Sequence, residues 1–195
     1  MRKKNKISNK KQVYTKLPVW NLSDLYPSIN SKKIVSDLKF VEKMSKSFEK
    51  KYEGKLNQLN SDQLFKAIFE LENIDEVIDK LLSYAHLLVA ENVENEKNKI
   101  FYQQIQEKIT SYSSCLIFFT LELNKISKNK INSFLKNKKL LKYKNWINNR
   151  RLFKPYQLEK KLEKLLQDKS ITSSNAWIRL FDETIASLRF PFKKE

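Results

Sequence analysis

Apolar residues along this chain recur mostly at steps of three and four, the period of one helical face. Ile34, Leu38, Val41, Met44, Phe48 and Tyr52 predict a first helix over 31–52. Gly54 follows directly and suits the left-handed position that closes a helix, where a Cβ is unfavourable. Leu64, Ile68, Leu71, Ile74, Ile78, Leu81, Ala85 and Leu88 predict a second helix over 61–91. Asn60 or Ser61 can cap it, and Gln63 stands at capping-box distance from Asn60. At ~1.5 Å rise per residue this is a rod of about 46 Å. Phe101, Ile105, Ile109, Tyr112, Leu116, Phe119 and Leu123 predict a third helix over 95–125. Its CLIFFTL end is apolar all round, which requires cover on more than one side. The short NVEN connection makes the second and third helices an antiparallel hairpin.

Shorter helices follow. Ser127 can cap one that carries Ile131, Phe134 and Leu135, and another holds Leu140, Leu141, Tyr143, Trp146 and Ile147. Pro155 interrupts the chain. Segments 156–169 and 173–188 then read as helical, with Thr172 or Ser173 as the cap of the second. Residues 17–29, LPVWNLSDLYPSI, lie between prolines and are too apolar for a free linker, so they are expected as an ordered arm packed on the helices. The fold class is therefore all-α: a long antiparallel helical hairpin plus shorter helices, part of a larger helical lobe.

Composition narrows the chemistry. One Gly and four Pro in 195 residues exclude a turn-rich β sandwich or barrel. The single Gly also excludes a P-loop, a dinucleotide fingerprint and a G-x-S-x-G elbow. One His excludes H-E-x-x-H, and one Cys excludes zinc knuckles and an internal disulfide. The longest strongly apolar run, Cys115 to Phe119, is far short of the ~20 residues that span a bilayer.

The net charge of +17 is unevenly placed. Residues 1–16 carry seven basic side chains and no acid, and residues 125–158 carry eleven and no acid. Such stretches suggest a polyanion partner. Yet the chain has 34 Lys and 5 Arg, with 18 Asn, 16 Ile and 5 Ala, the usage of A/T-rich codons. Phosphate readers favour the bidentate Arg fork, so the basicity reads as compositional drift. Phe134, Tyr143, Trp146 and Phe153 are interleaved with lysines, as in single-strand binders, but their spacing with Ile131, Leu140 and Ile147 suits core positions.

Few side chains are candidates for catalysis. His86 as a metal ligand or base lacks a second His or a nearby Cys, so it reads as an interface residue. Cys115 sits in the most apolar stretch and reads as a buried, inert thiol. Glu70 and Glu72, Glu91, Glu94 and Glu96, and Asp182 and Glu183 are paired carboxylates that ordinary helix-surface electrostatics explains.

Three blocks carry a family resemblance. LPVWNLSDLYPS at 17–28, FYQQIQEKITSYSSCLIFFTLELNKI at 101–126 and LEKLLQDKSITSSNAWIRLFDETIASLRF at 162–190 together resemble the N-terminal region of oligoendopeptidase F-type zinc metallopeptidases, relatives of the thimet oligopeptidase group. The resemblance implies a bilobed, mostly helical peptidase in which this region walls a channel admitting short peptides; the cytoplasmic location is expected from the single Cys and from the lysine-rich first sixteen residues, which have no apolar h-region after them. It implies zinc held in the other lobe by H-E-x-x-H and a downstream Glu, with the motif's Glu polarising the zinc-bound water. No position here matches those ligands, so no catalytic, metal or cofactor residue is assigned, and the substrate-binding residues are unknown. The expected organisation is a basic disordered tail at 1–16, the helical region at 17–192 with its catalytic domain absent, and a truncated end at 193–195. Expected partners are the missing lobe or a downstream polypeptide, and short peptides; neither a membrane nor nucleic acid is expected. An apolar docking surface is expected near Trp177, Phe181, Phe190 and Phe192. The alternatives are a stand-alone helical module that binds nucleic acid through 125–158, and a non-catalytic peptide-binding remnant.

Overall fold

The capping box at Asn60 forms as the sequence predicts. The Gln63 N–H donates to Asn60 Oδ1 and the Asn60 N–H to Gln63 Oε1, both at 2.9 Å. It starts α2, Ser61–Glu91, the longest element in a computed structural model that describes residues 20–191. The tail at 1–16, the first three residues of the arm, Phe192 and the end at 193–195 lie outside the described residues. Before α2 comes α1, Lys32–Tyr52, capped by Ser31 and closed by Gly54 at φ +75°. After it come α3, Glu96–Ser113, and α4, Ile117–Lys125. Then follow α5 Lys128–Phe134, α6 Lys138–Leu141, α7 Lys144–Leu152, α8 Lys160–Ser170 and α9 Ser174–Ser187. No strand occurs among the described residues, and no helix there is long and apolar enough to cross a membrane.

The α2–α3 hairpin is present, turned at Asn92–Asn95, where Asn95 caps α3 and Asn98 Nδ2 donates to the Leu88 carbonyl at 3.0 Å. Helix α1 packs against both rods. The apolar faces meet as spaced: Ile34, Leu38, Val41, Phe48, Leu64, Ile68, Leu81, Ile105 and Ile109 are all buried. Phe48 lies 5.8 and 5.5 Å from Phe118 and Phe119, joining α1 to α4 through an aromatic cluster. The arm docks through Tyr26, buried in edge contact with Tyr84 at 5.2 Å and donating its hydroxyl to Asp37 Oδ2 at 2.8 Å. Burial and the Asp37 carboxylate push the Tyr26 phenol well above its usual range.

Several boundaries differ from the sequence reading. The third rod is broken: a 3-10 turn at Ser114–Leu116 separates α3 from α4. Ser113 and Ser114 donate their hydroxyls back to the Thr110 and Ser111 carbonyls at 3.4 and 2.9 Å, offering the backbone an alternative to a straight helix. The segment around Trp146 is two helices, because Asn137 caps its own short turn by accepting from the Lys139 N–H at 2.9 Å. Ser173 precedes α9 but does not cap it; its hydroxyl donates to the Lys169 carbonyl at 2.8 Å instead.

The end of α4 lies inside the protein, with Leu123, Asn124 and Ile126 buried. Buried helix carbonyls need partners, and two later side chains supply them. Arg151 donates through Nη1 to the Leu123 carbonyl at 2.7 Å and through Nη2 to the Ile126 carbonyl at 2.9 Å. Gln157 Nε2 donates to the Leu121 carbonyl at 3.2 Å, while its Oε1 accepts from Asn124 Nδ2 at 2.9 Å. On the other side, the Glu122 carboxylate accepts from the Gly54 N–H at 2.6 Å and the Leu56 N–H at 3.3 Å.

Leu81 and Leu116 are both buried in this core. Leu81→Ala and Leu116→Ala are each expected to cost about 2–5 kcal/mol, the usual range for a buried leucine truncation. Thermal and denaturant melts check this; variants that melt with the parent would refute the face assignment.

Candidate functional site

Helices α8 and α9 have apolar faces but no buried residue. Leu162, Leu165 and Leu166 on α8 are exposed, as are Ile178, Leu180 and Ile185 on α9. Trp177 is 71% exposed, Phe181 64% and Phe190, beyond the helix, 82%. Leu152, Phe153 and Tyr156 extend the same character upstream. These exposed apolar side chains make the α8–α9 segment a candidate interaction surface. Polar tips hold the two helices to the body: Gln167 Nε2 donates to Ser113 Oγ at 2.9 Å, and Arg179 Nη1 to Gln103 Oε1 at 3.2 Å. Glu183 lies 3.8 Å from Lys99, and Arg189 pairs with Glu94. Beneath α9 a cavity of about 430 Å³ separates it from the hairpin, lined by His86, Val89, Val93, Tyr102, Ile178 and Phe181.

His86 thus lies at a helix interface, its ring 5.8 Å from that of Tyr102. Among the described residues no group of three or more His, Cys, Asp or Glu side chains converges as a metal site. Cys115 is half-buried rather than fully buried; burial raises its thiol, and Glu49 adds to the effect. The paired carboxylates divide among surface contacts: Glu70 with Lys51 at 2.6 Å, Glu72 accepting from Tyr143, Glu94 with Arg189, and Glu96 and Glu183 with Lys99. In the basic stretch Phe134 and Tyr143 are buried and Trp146 is partly buried against the core, as expected; Phe153 is 68% exposed and departs from that expectation.

The sequence reading missed a second feature, a cleft between α2 and α7. Cavities of about 860 Å³ and 500 Å³ meet at Asp75, Trp146 and Arg150. Glu72, Asp75, Glu76 and Asp79 line the α2 wall, at steps of three and four along one face. Arg150 lies 5.4 Å from the Trp146 ring, a cation–π contact. Burial, chiefly, pushes the Asp75 carboxyl up to about 6, with Asp79 adding and Arg150 opposing. The available signal was slight: two aspartates four residues apart, each following a core isoleucine, Ile74 and Ile78.

The family model described as Oligopeptidase F matches residues 122–190, from the Glu122 clamp through the exposed face of α9. The chain is similar to the N-terminal region of oligoendopeptidase F. A crystal structure of oligoendopeptidase-F from Enterococcus faecium has the same fold over 84% of this chain, with a TM-score of 0.66 and 21% sequence identity. This chain covers 31% of that oligoendopeptidase F. No curated protein matches it. The LELN run at 121–124, part of the resemblance, has a physical role here: each of its residues holds a contact at the end of α4.

Asp75 yields a pH prediction. Its folded pKa lies above the ordinary carboxylate value, so the stability it contributes is present below about pH 4 and lost as pH rises through about 6. Asp75→Asn should therefore stabilise the protein at pH 7 and leave it unchanged near pH 3.5. The gain should be about 1–2 kcal/mol, discounted for solvent in the open cleft. Melts across pH 3.5–8 check the sign.

Proposed function

We propose that this chain forms the N-terminal, non-catalytic wall of the substrate channel of an oligoendopeptidase F-like zinc peptidase that cleaves short peptides. The observation that carries the reading is the uncovered apolar face of α8 and α9, lying within the segment matched by the oligopeptidase F model. A zinc-bearing catalytic lobe is the partner that covers this face. Zinc chemistry resides in that partner, because three protein ligands are needed and these 195 residues hold one His. The cytoplasm is the compartment we assign, in keeping with a lone free thiol.

Nucleic acid is not a ligand in this reading. Of the two arginines in the basic stretch, Arg151 is committed to the α4 carbonyls and Arg150 to Trp146. Scattered lysines give salt-sensitive, sequence-blind contacts.

The test is reconstitution. Purified alone, the chain is expected neither to cleave a quenched-fluorescence peptide nor to hold zinc stoichiometrically. Added to a zinc-bearing oligoendopeptidase F lobe that lacks its own N-terminal region, it should bind and raise peptide cleavage. Trp177→Glu with Phe190→Glu should abolish that association with little change in Tm, since both side chains are exposed and neither lines the cavity under α9. Chelator-sensitive cleavage by the lone chain, or a large loss of Tm in the double variant, would overturn the reading. Single-stranded oligonucleotides should bind weakly at low salt and be released near 0.2 M, about where nonspecific contacts fail.

A further inference from the structure

Helix α9 carries apolar side chains on two sides and buries neither. Ile178, Phe181 and Ile185 line the cavity that separates it from the α2–α3 hairpin, opposite Val89, Val93 and Tyr102. Trp177, Leu180 and Leu188 are exposed and lie outside that cavity. A helix that is apolar on more than one side calls for cover on each. Protein interiors are close-packed, so a gap of about 430 Å³ between two largely apolar walls leaves the inner cover incomplete.

The contacts that hold α9 to the hairpin are polar. Arg179 Nη1 donates to Gln103 Oε1 at 3.2 Å, Glu183 stands 3.8 Å from Lys99, and Arg189, just past the helix, pairs with Glu94. Exposed pairs of this kind contribute little and are screened by salt. Helix α8 is anchored at both ends. It follows Gln157, which is bonded to the buried end of α4, and its first residue, Lys160, lies between Glu53 and Glu49, 3.3 Å from the latter. Near its other end Gln167 donates to Ser113. Between α8 and α9 the chain turns at 171–173. The Thr172 and Ser173 N–H groups both donate to the Lys169 carbonyl, which closes α8, and no side chain caps α9.

From this we propose that α9 is a latch: it undocks from the hairpin as one unit, pivoting at 171–173 while α8 stays in place. Docked, it covers His86, Val89, Val93 and Tyr102; undocked, it exposes them together with its own inner side. Release is easy because α9 has no buried residue, and local opening is easiest where apolar contacts are fewest. A partner seated on the outer side of α9 then selects one of the two positions. That last step rests on the channel-wall reading; the undocking does not. The test uses the lone chain, so the latch and the channel-wall reading fail separately.

The experiment follows amide hydrogen exchange in the full 195-residue chain. Amides of α9 should retain protection above that of an unstructured peptide, yet exchange at least about 100-fold faster than those of Ile74–Leu81 at the centre of α2. Raising NaCl to about 1 M, where the Debye length is about 3 Å, should quicken exchange in α9 and leave the centre of α2 unchanged. Two variants on the hairpin side leave the α9 sequence intact and should act in opposite directions. Glu94→Gln with Gln103→Ala removes two of the polar contacts and should quicken α9 exchange several-fold. Ala90→Leu fills the cavity from the opposite wall and should slow it several-fold. Melts should show both variants with the parent Tm, since residues 90, 94 and 103 are exposed. Protection of α9 equal to that of α2, no protection at all, or exchange that neither salt nor either variant changes would overturn the proposal.

Discussion

A helix that ends inside a protein leaves carbonyls that water cannot reach, and the end of α4 sets this problem for the whole chain. Leu123 and Ile126 are fully buried there. The chain resolves it with Arg151, delivered by α7, and with Gln157, just past the Pro155 turn. Those two contacts fix where α7 ends and where α8 begins. Glu122 does the same upstream, drawing the loop after α1 onto α4 through the backbone of Gly54 and Leu56. The arrangement of four elements, α1, α4, α7 and α8, thus depends on contacts made within residues 121–126.

The apolar faces of α1 and α2 were legible in the sequence because local and tertiary signals agreed. Each has a strong stop or start, Gly54 or the Asn60 box, and an unbroken stripe that finds a partner. The third rod was less legible. Its stripe runs unbroken through Leu116, and the break comes from serines whose hydroxyls return to the backbone, a competition that hydrophobic spacing does not register. The Lys138–Leu152 region divides for a related reason, an asparagine cap hidden among lysines.

The exposure of the α9 region was legible, since Trp177, Phe181 and Phe190 were expected at an uncovered apolar surface. The cleft was not. It brings together Asp75 from α2, Asn124 from α4 and Arg150 from α7, residues that no local window contains. The Asp75 carboxylate looks like one of many surface acids until α7 covers it. Charge counting also misled at Arg151, which inflates the basic stretch yet spends its guanidinium on the buried carbonyls at the end of α4.

The double grip of Arg151 separates the cations of this chain into two kinds. Its two nitrogens reach carbonyls three residues apart, a span that depends on the guanidinium's width. An ammonium must reach both carbonyls from a single nitrogen, without the fixed spacing that the planar fork provides. Most lysines among the described residues, by contrast, are exposed and act as hydrated point charges whose exact position matters little. The chain can therefore drift widely in its lysines and keep its shape, whereas exchanging one cation for the other at 151 would loosen the junction between its first helices and its exposed face.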